Sequence, residues 1–214
     1  DQYKDIDMKS CCQTIFLNLV RMNGVLHDYP RLEEYVAQRD QLFAHYQEKY
    51  GVDKDTIKNL FTKIGFGGSS KTWYAENSIE YDNDPFICEL NAEYYKLADI
   101  IYDANKNICE DILKALPNKF AKYDDPSALL SKKKRTTMAM FYQTAERYCQ
   151  EAAISYLCDS KGFNIKDIVP CQDGLMILKE HYYDEICKDF EEVIKFTYNF
   201  NIKWKNKPFD EAID

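Results

Sequence analysis

Ile168-Val169-Pro170-Cys171-Gln172-Asp173-Gly174-Leu175-Met176-Ile177-Leu178 sets two apolar runs on either side of Asp173-Gly174, the dipeptide most typical of a tight β-hairpin turn. Working outward, Tyr3-Lys4-Asp5-Ile6-Asp7-Met8 alternates well enough for a short strand, with Asp7 at its end, and residues 200–205 (FNIKWK) predict a last strand. The segments between carry helical periodicity. Ser10 to Met22 turns Ile15, Phe16, Leu19 and Val20 inward and stops at Gly24. Pro30 suits the first turn of a second helix with an apolar stripe of Leu32, Tyr35, Val36, Leu42, Phe43 and Tyr46 before Gly51. Asp53 caps a third, whose buried face is Ile57, Leu60, Phe61 and Ile64 and which ends in GFGGSS at residues 65–70. One long helix or two in series run from Pro85 to Leu116, with breakers around Pro117 and Pro126. Further helices run from about Ser131 to Cys158, closed by Gly162, and from about Tyr183 to Tyr198. Strand, several helices, hairpin, helix, strand is an α+β order: a small antiparallel sheet with a large, mostly helical insertion.

Composition narrows the class. The 214 residues suffice for one domain or two lobes sharing a cleft. Acidic side chains number 36 against 28 basic ones, a net charge of −8 that argues against a generally basic nucleic-acid binder, although a polymerase need be basic only along its cleft. Eight cysteines are spread through the chain with Cys11-Cys12 as the one close pair and no Cys-x-x-Cys, so they read as reduced, intracellular and mostly small buried hydrophobes. His27, His45 and His181 stand far in sequence from any cysteine partner, which gives no zinc pattern. No apolar run approaches the roughly 20 residues that span a bilayer, so no membrane is expected. Asp1 stands six residues before Asp7 with no initiator methionine, the look of a processed piece or an excised domain.

The candidate chemistry rests on two carboxylates and a basic helix. Nucleotidyl transfer needs two divalent cations, one to activate the attacking hydroxyl and one to hold the triphosphate and leaving group. Mg²⁺ takes oxygen ligands, often from one or two carboxylates plus substrate phosphates. Asp7 at a strand end and Asp173 in a hairpin would meet on adjacent strands and supply that pair, with the Met8 carbonyl as a third ligand and Asp5, on the same strand face, in reserve. A lone Asp-Gly is usually an ordinary turn; here it is bracketed by IVP and LMIL, as a catalytic carboxylate on a buried hairpin should be.

Lys54 and Lys58 are four apart and project from one side of the third helix, where they suit a triphosphate, with Lys58 neutralising and protonating the leaving pyrophosphate. Phe66, two turns on, is placed to stack on a base. Arg135 and Gln143 are eight apart on one helix face with Arg147 a turn later, a pattern suited to minor-groove acceptors shared among base pairs, and Lys132 to Arg135 would hold backbone phosphate.

In order and spacing these pieces resemble the family A DNA polymerases, the group of bacterial DNA polymerase I and the single-subunit phage-type RNA polymerases. Asp7-Met8-Lys9-Ser10 resembles motif A, an aspartate at a strand end followed by a helix. Lys54-x3-Lys58-x7-Phe66-Gly67 is similar to motif B, with lysine for arginine and phenylalanine for tyrosine. Gln172-Asp173-Gly174 stands where motif C has His-Asp-Glu, and Arg135-x7-Gln143 is similar to the family's primer–template helix. The closing FNIKWKNKPFDEAI looks like its last palm strand, and the Asp-Gly motif with the GFGG loop looks closest to the branch of virophages, large DNA viruses and related mobile elements.

The resemblance implies a palm of residues 1–24 and 126–214 holding a fingers insertion of 25–125, and a DNA polymerase using Mg²⁺ or Mn²⁺, dNTPs and a DNA primer–template. It implies metal ligation by Asp7, Met8 and Asp173, nucleotide contacts by Lys54, Lys58, Phe66 and Cys12, and primer–template contacts by Arg135, Gln143, Arg147 and Gln172. Cys12 stands where the DNA polymerases carry a glutamate that blocks the ribose 2′-hydroxyl, which leaves primase-like or RNA-polymerising activity open. The family's thumb and exonuclease precede motif A, so a preceding region, a helicase or a processivity partner is expected to complete the enzyme, in the cytoplasm or nucleus of a host cell if it is viral. Two rival readings remain: a catalytically silent nucleic-acid-binding palm, given the missing histidine and glutamate of motif C, and a helical interaction module with a tyrosine-rich contact surface.

Overall fold

Segments from both ends of the sequence meet in a four-stranded antiparallel sheet: β1 (Tyr3–Met8), β2 (Ile168–Pro170), β3 (Gly174–Leu178) and β4 (Trp204–Lys207), in the order β2-β3-β1-β4. The computed structural model describes residues 2–107, 110, 114, 120 and 124–208. Leu116 and Pro117, expected to end a helix, and Phe209 to Ile213 of the closing stretch lie outside them. Seven α-helices fill most of the described remainder: α1 (Cys11–Met22), α2 (Pro30–Tyr50), α3 (Lys54–Gly65), α4 (Ser70–Glu76), α5 (Pro85–Ala104), α6 (Pro126–Ser155) and α7 (Ile186–Tyr198). This is the α+β composition expected from the order of elements. The chain divides into two units, Asp1–Met22 with Gln143–Asp214, and Asn23–Tyr142, so the second crossing falls inside α6; the sequence reading sets its boundaries at 24/25 and 125/126.

The first unit is organised by the two-residue period of β1. Ile6 and Met8 are 0 % and 2 % exposed, and they share the buried side of the sheet with Leu175, Ile177 and Trp204. Phe190 of α7 meets Trp204 edge-on at 5.0 Å between ring centroids. Asn18 of α1 donates to the Thr14 carbonyl at 2.7 Å and accepts the Asn201 N–H at 2.9 Å, which ties α1 to the segment entering β4. That segment differs from expectation: the strand is 204–207 rather than 200–205, because Phe200 and Ile202 are buried from an irregular stretch instead of a ladder. The odd-numbered Asp5 and Asp7 therefore share the opposite side of β1.

In the second unit Asp53 caps α3 as predicted, accepting the Thr56 N–H at 2.7 Å, and that bond holds its carboxyl below the ordinary range. All four predicted inward residues of α3 are at most 1 % exposed. Phe61 stacks on Phe43 at 5.5 Å and meets Tyr35 at 4.8 Å, giving an aromatic core in which each full burial contributes about 1.5–3 kcal/mol. Two boundaries differ from expectation. Ser70, read as the end of the GFGGSS breaker, opens the short α4, which buries Trp73 and Tyr74 and lets the Trp73 indole donate to the Thr56 carbonyl at 3.1 Å. α6 starts at Pro126 rather than Ser131, because Asp125 accepts the Ala128 N–H at 2.9 Å and proline fits the first helical position.

Candidate functional site

Pairing between β1 and β3 brings the two predicted carboxylates to the same place in the first unit. Asp7 lies opposite Gly174, and the Met8 N–H donates to the Asp173 carbonyl at 2.8 Å, so the end of β1 abuts the hairpin turn. The turn sits one residue earlier than the Asp-Gly reading: Cys171 N–H bonds the Gly174 carbonyl at 3.0 Å, which leaves Gln172-Asp173 at the tip and makes Gly174 the first residue of β3. Gly174 is glycine for a different reason than a turn. A Cβ there would stand 2.3 Å from the Ile6 carbonyl oxygen and 2.7 Å from Asp7 Oδ1. The motif's glycine thus lets β1, with its carboxylate, lie against the hairpin.

The charges around Asp7 are close and incompletely matched. Asp7 is 8 % exposed, and Lys207 Nζ approaches its Oδ2 at 3.4 Å and Asp5 Oδ2 at 3.9 Å. Asp5 Oδ1 is buried without a hydrogen-bond partner. Burial pushes the Asp5 carboxyl up, and Asp7 and Asp173 add to it against the opposing pull of Lys207 and Lys205. Lys207 is in turn pushed up, first by Asp7. The Cys171 thiol is raised by burial and then by Asp5, Asp7 and Asp173, so the same acidic field reaches the hairpin.

The residue that fixes this hairpin to its helix was missed in sequence. Gln150 of α6, 9 % exposed, donates its amide to the Cys171 carbonyl and, at 2.6 Å, to the Gly174 carbonyl. The available signal was a glutamine beside the inward positions Cys149 and Ala153. A polar amide at a buried helix position needs partners, and irregular backbone at a turn is where carbonyls need donors.

Among the described residues no three or more His, Cys, Asp or Glu side chains gather as a metal site. Asp7 and Asp173 are hard oxygen donors brought to one place by the β1–β3 pairing, the ligand type that Mg²⁺ or Mn²⁺ takes together with substrate phosphates and that does not suit a softer ion.

The basic and aromatic candidates of motif B lie in the second unit. Lys54 and Lys58 are exposed on α3 and make no ion pair among the described residues. Phe66 follows the helix and meets Tyr142 edge-on at 5.3 Å. Gly67 has φ +72°, and a Cβ there would stand 2.7 Å from Arg135 Cγ. Arg135 is committed to this turn: Nη1 donates to the Gly67 carbonyl at 2.8 Å, Nε to the Ser131 carbonyl at 3.2 Å, and the guanidinium lies over Tyr95. Its neighbour Lys134 pairs with Asp99 at 3.0 Å.

The remaining candidates belong to the first unit. Gln143 is exposed on α6, Arg147 is exposed and bonded to Glu151 at 2.7 Å, and Gln172 is exposed at the hairpin tip. Cys12 is only 7 % exposed on α1, and burial together with Glu146 pushes its thiol well above the ordinary range. The structure thus assembles Asp7 with Asp173, and Phe66 and Gly67 with Arg135, in separate units. Neither the protein-family models nor the curated proteins contain a match to this chain.

Proposed function

We propose that the chain is a template-dependent nucleotidyltransferase that adds nucleotides to a primer 3′ end, in the manner of the family A DNA polymerases it resembles. The observation that carries this reading is the approach of Asp7 to the Asp173 turn across the β1–β3 pair, made possible by Gly174. Such carboxylates would hold two Mg²⁺ ions, whose chemistry would be to lower the pKa of the attacking hydroxyl and to neutralise charge on the triphosphate. Asp7 and Asp173 are the metal-holding residues, with the Met8 carbonyl beside them. Lys58 neutralises the leaving pyrophosphate and donates its proton, Lys54 assists, and Phe66 positions the incoming base. Gln143, Arg147 and Gln172 contact primer–template, and Arg135 acts by holding the Gly67 turn as well. Cys12 is too deeply buried to stand as a barrier to the ribose 2′-hydroxyl, so NTPs are candidate substrates together with dNTPs.

A second reading, a silent nucleic-acid-binding palm, is favoured by Gly174: the position of the motif's second carboxylate has no room for any side chain. Extension of a labelled primer–template with Mg²⁺ or Mn²⁺, and with dNTPs or NTPs, separates the two. Incorporation should fall about a thousandfold or more in Asp173→Ala, and about a hundredfold in Lys58→Ala. A folded wild type that binds the duplex but extends it under none of these conditions rejects turnover in favour of the binding reading.

A further inference from the structure

Lys207 belongs to none of motifs A, B and C, yet its ammonium contacts Asp7. The β1–β4 register sets it directly across from Asp5 and diagonal to Asp7, so the ladder itself delivers its ammonium to both carboxylates, at 3.9 Å and 3.4 Å. We infer that Lys207 is the built-in counter-ion of this acidic face, and that a divalent cation reaches Asp7 only by displacing it. The inference rests on the metal-holding role assigned to Asp7 above.

Three features support it. Asp5 Oδ1 is buried with no hydrogen-bond partner, so the Lys207 ammonium does not satisfy every oxygen of the two carboxylates it contacts. The Lys207 side chain is 47 % exposed against 11 % for Asp7, so the lysine can withdraw into water while the aspartate stays. A lysine is also the suitable residue for a displaceable charge: a strongly hydrated point charge on a flexible stem, without the two-pronged grip of arginine. Lys207 therefore does two things. It keeps the acidic strands paired before metal arrives, and it sets the metal concentration at which the site fills, because a cation must bind against a resident positive charge.

The test uses Mn²⁺ itself as the ligand and reads binding rather than turnover. Mn²⁺ affinity is measured by calorimetry, and thermal melting in EDTA, for wild type, Lys207→Gln, Lys207→Arg and Asp7→Asn. Lys207→Gln should bind Mn²⁺ about tenfold more tightly and melt lower in EDTA, while Lys207→Arg binds no more tightly than wild type. Equal affinity in wild type and Lys207→Gln, with binding lost in Asp7→Asn, overturns the counter-ion role and leaves the metal-holding role of Asp7 standing. Binding that Asp7→Asn leaves unchanged overturns both.

Discussion

Asp84 and Asp7 are almost equally buried, 7 % and 8 % exposed, and they are treated in opposite ways. Asp84, at the start of α5, receives the Tyr46 hydroxyl at 2.8 Å, the Ile87 N–H at 3.0 Å and the Lys49 ammonium at 2.7 Å. Lys49 also pairs at 2.6 Å with Asp82, which accepts the Tyr74 hydroxyl at 3.0 Å. Burial alone would raise Asp84, but Lys49, the helix N–H and Tyr46 together hold its carboxyl below the ordinary range. Around Asp7 the balance is reversed: the Lys207 ammonium, 3.4 Å from Asp7, is shared with Asp5 at 3.9 Å, and the Asp5 carboxyl is pushed up rather than down. A carboxylate whose task is to hold a fold together is saturated with donors. One left short of donors keeps capacity for something that is not part of the chain.

The largest effect expected from this contrast is on stability. Asp84→Ala removes a helix cap, leaves the Tyr46 hydroxyl without its acceptor and takes from Lys49 one of its two carboxylate partners, at a cost of about 3 kcal/mol in urea denaturation, whereas Asp7→Asn should change stability by less than about 1 kcal/mol. Equal losses in the two variants would erase the distinction. The pH dependence has a definite sign. Because the folded carboxyls of Asp82 and Asp84 lie below their ordinary 3.8, their stabilisation is complete above that value and disappears as pH falls beneath it. The deficit of Asp84→Ala relative to wild type should therefore shrink on acidification below that point.

Gly174→Ala probes the other half of the comparison at its closest approach. The new methyl would meet the Ile6 carbonyl oxygen at 2.3 Å, which is backbone and cannot rotate away, so β1 and β3 must part. The cost is about 2 kcal/mol, read by the same denaturation. Gly162→Ala is the control: its Cβ meets nothing within 4 Å, and its penalty comes from φ +74° alone. A Gly174→Ala protein as stable as wild type would mean that the strands do not pack as closely as described.

These contrasts also show what a sequence reveals and what it hides. The cap at Asp53, the inward face of α3 and the short strand at Tyr3–Met8 were all legible, because each follows from residues one to four apart and their periodicity. The meeting of Asp7 with the hairpin was legible from a strand end and a hairpin turn that metal chemistry would bring onto adjacent strands, not from local periodicity. Asp173-Gly174 reads in sequence as a local turn, whereas the need for glycine at 174 comes from a strand more than 160 residues away in sequence. The bonds of Gln150 and Arg135 were hidden for the same reason: their partners, the Gly174 and Gly67 carbonyls, are backbone atoms, and backbone acceptors leave no trace in composition. The helix α4 was lost because the three glycines and two serines of GFGGSS signal a break, while the burial of Trp73 that overrides them is tertiary.

The smallest effect is also the sharpest in sign. Asp5 is pushed above its ordinary 3.8 by burial and then by Asp7, so in the folded protein its ionised form is disfavoured relative to the unfolded chain. At pH 7 it is charged in both states and therefore destabilises the fold; below 3.8 it is protonated in both states and the penalty vanishes. Asp5→Asn should accordingly raise the melting temperature at pH 7 by a few degrees, with the gain fading as the pH approaches that value. A loss of stability instead would mean that the Lys207 contact outweighs the burial and crowding of Asp5. In that case the face carrying Asp7 would be held together by its charges, as the Asp84 cluster is, and the contrast between the two would collapse.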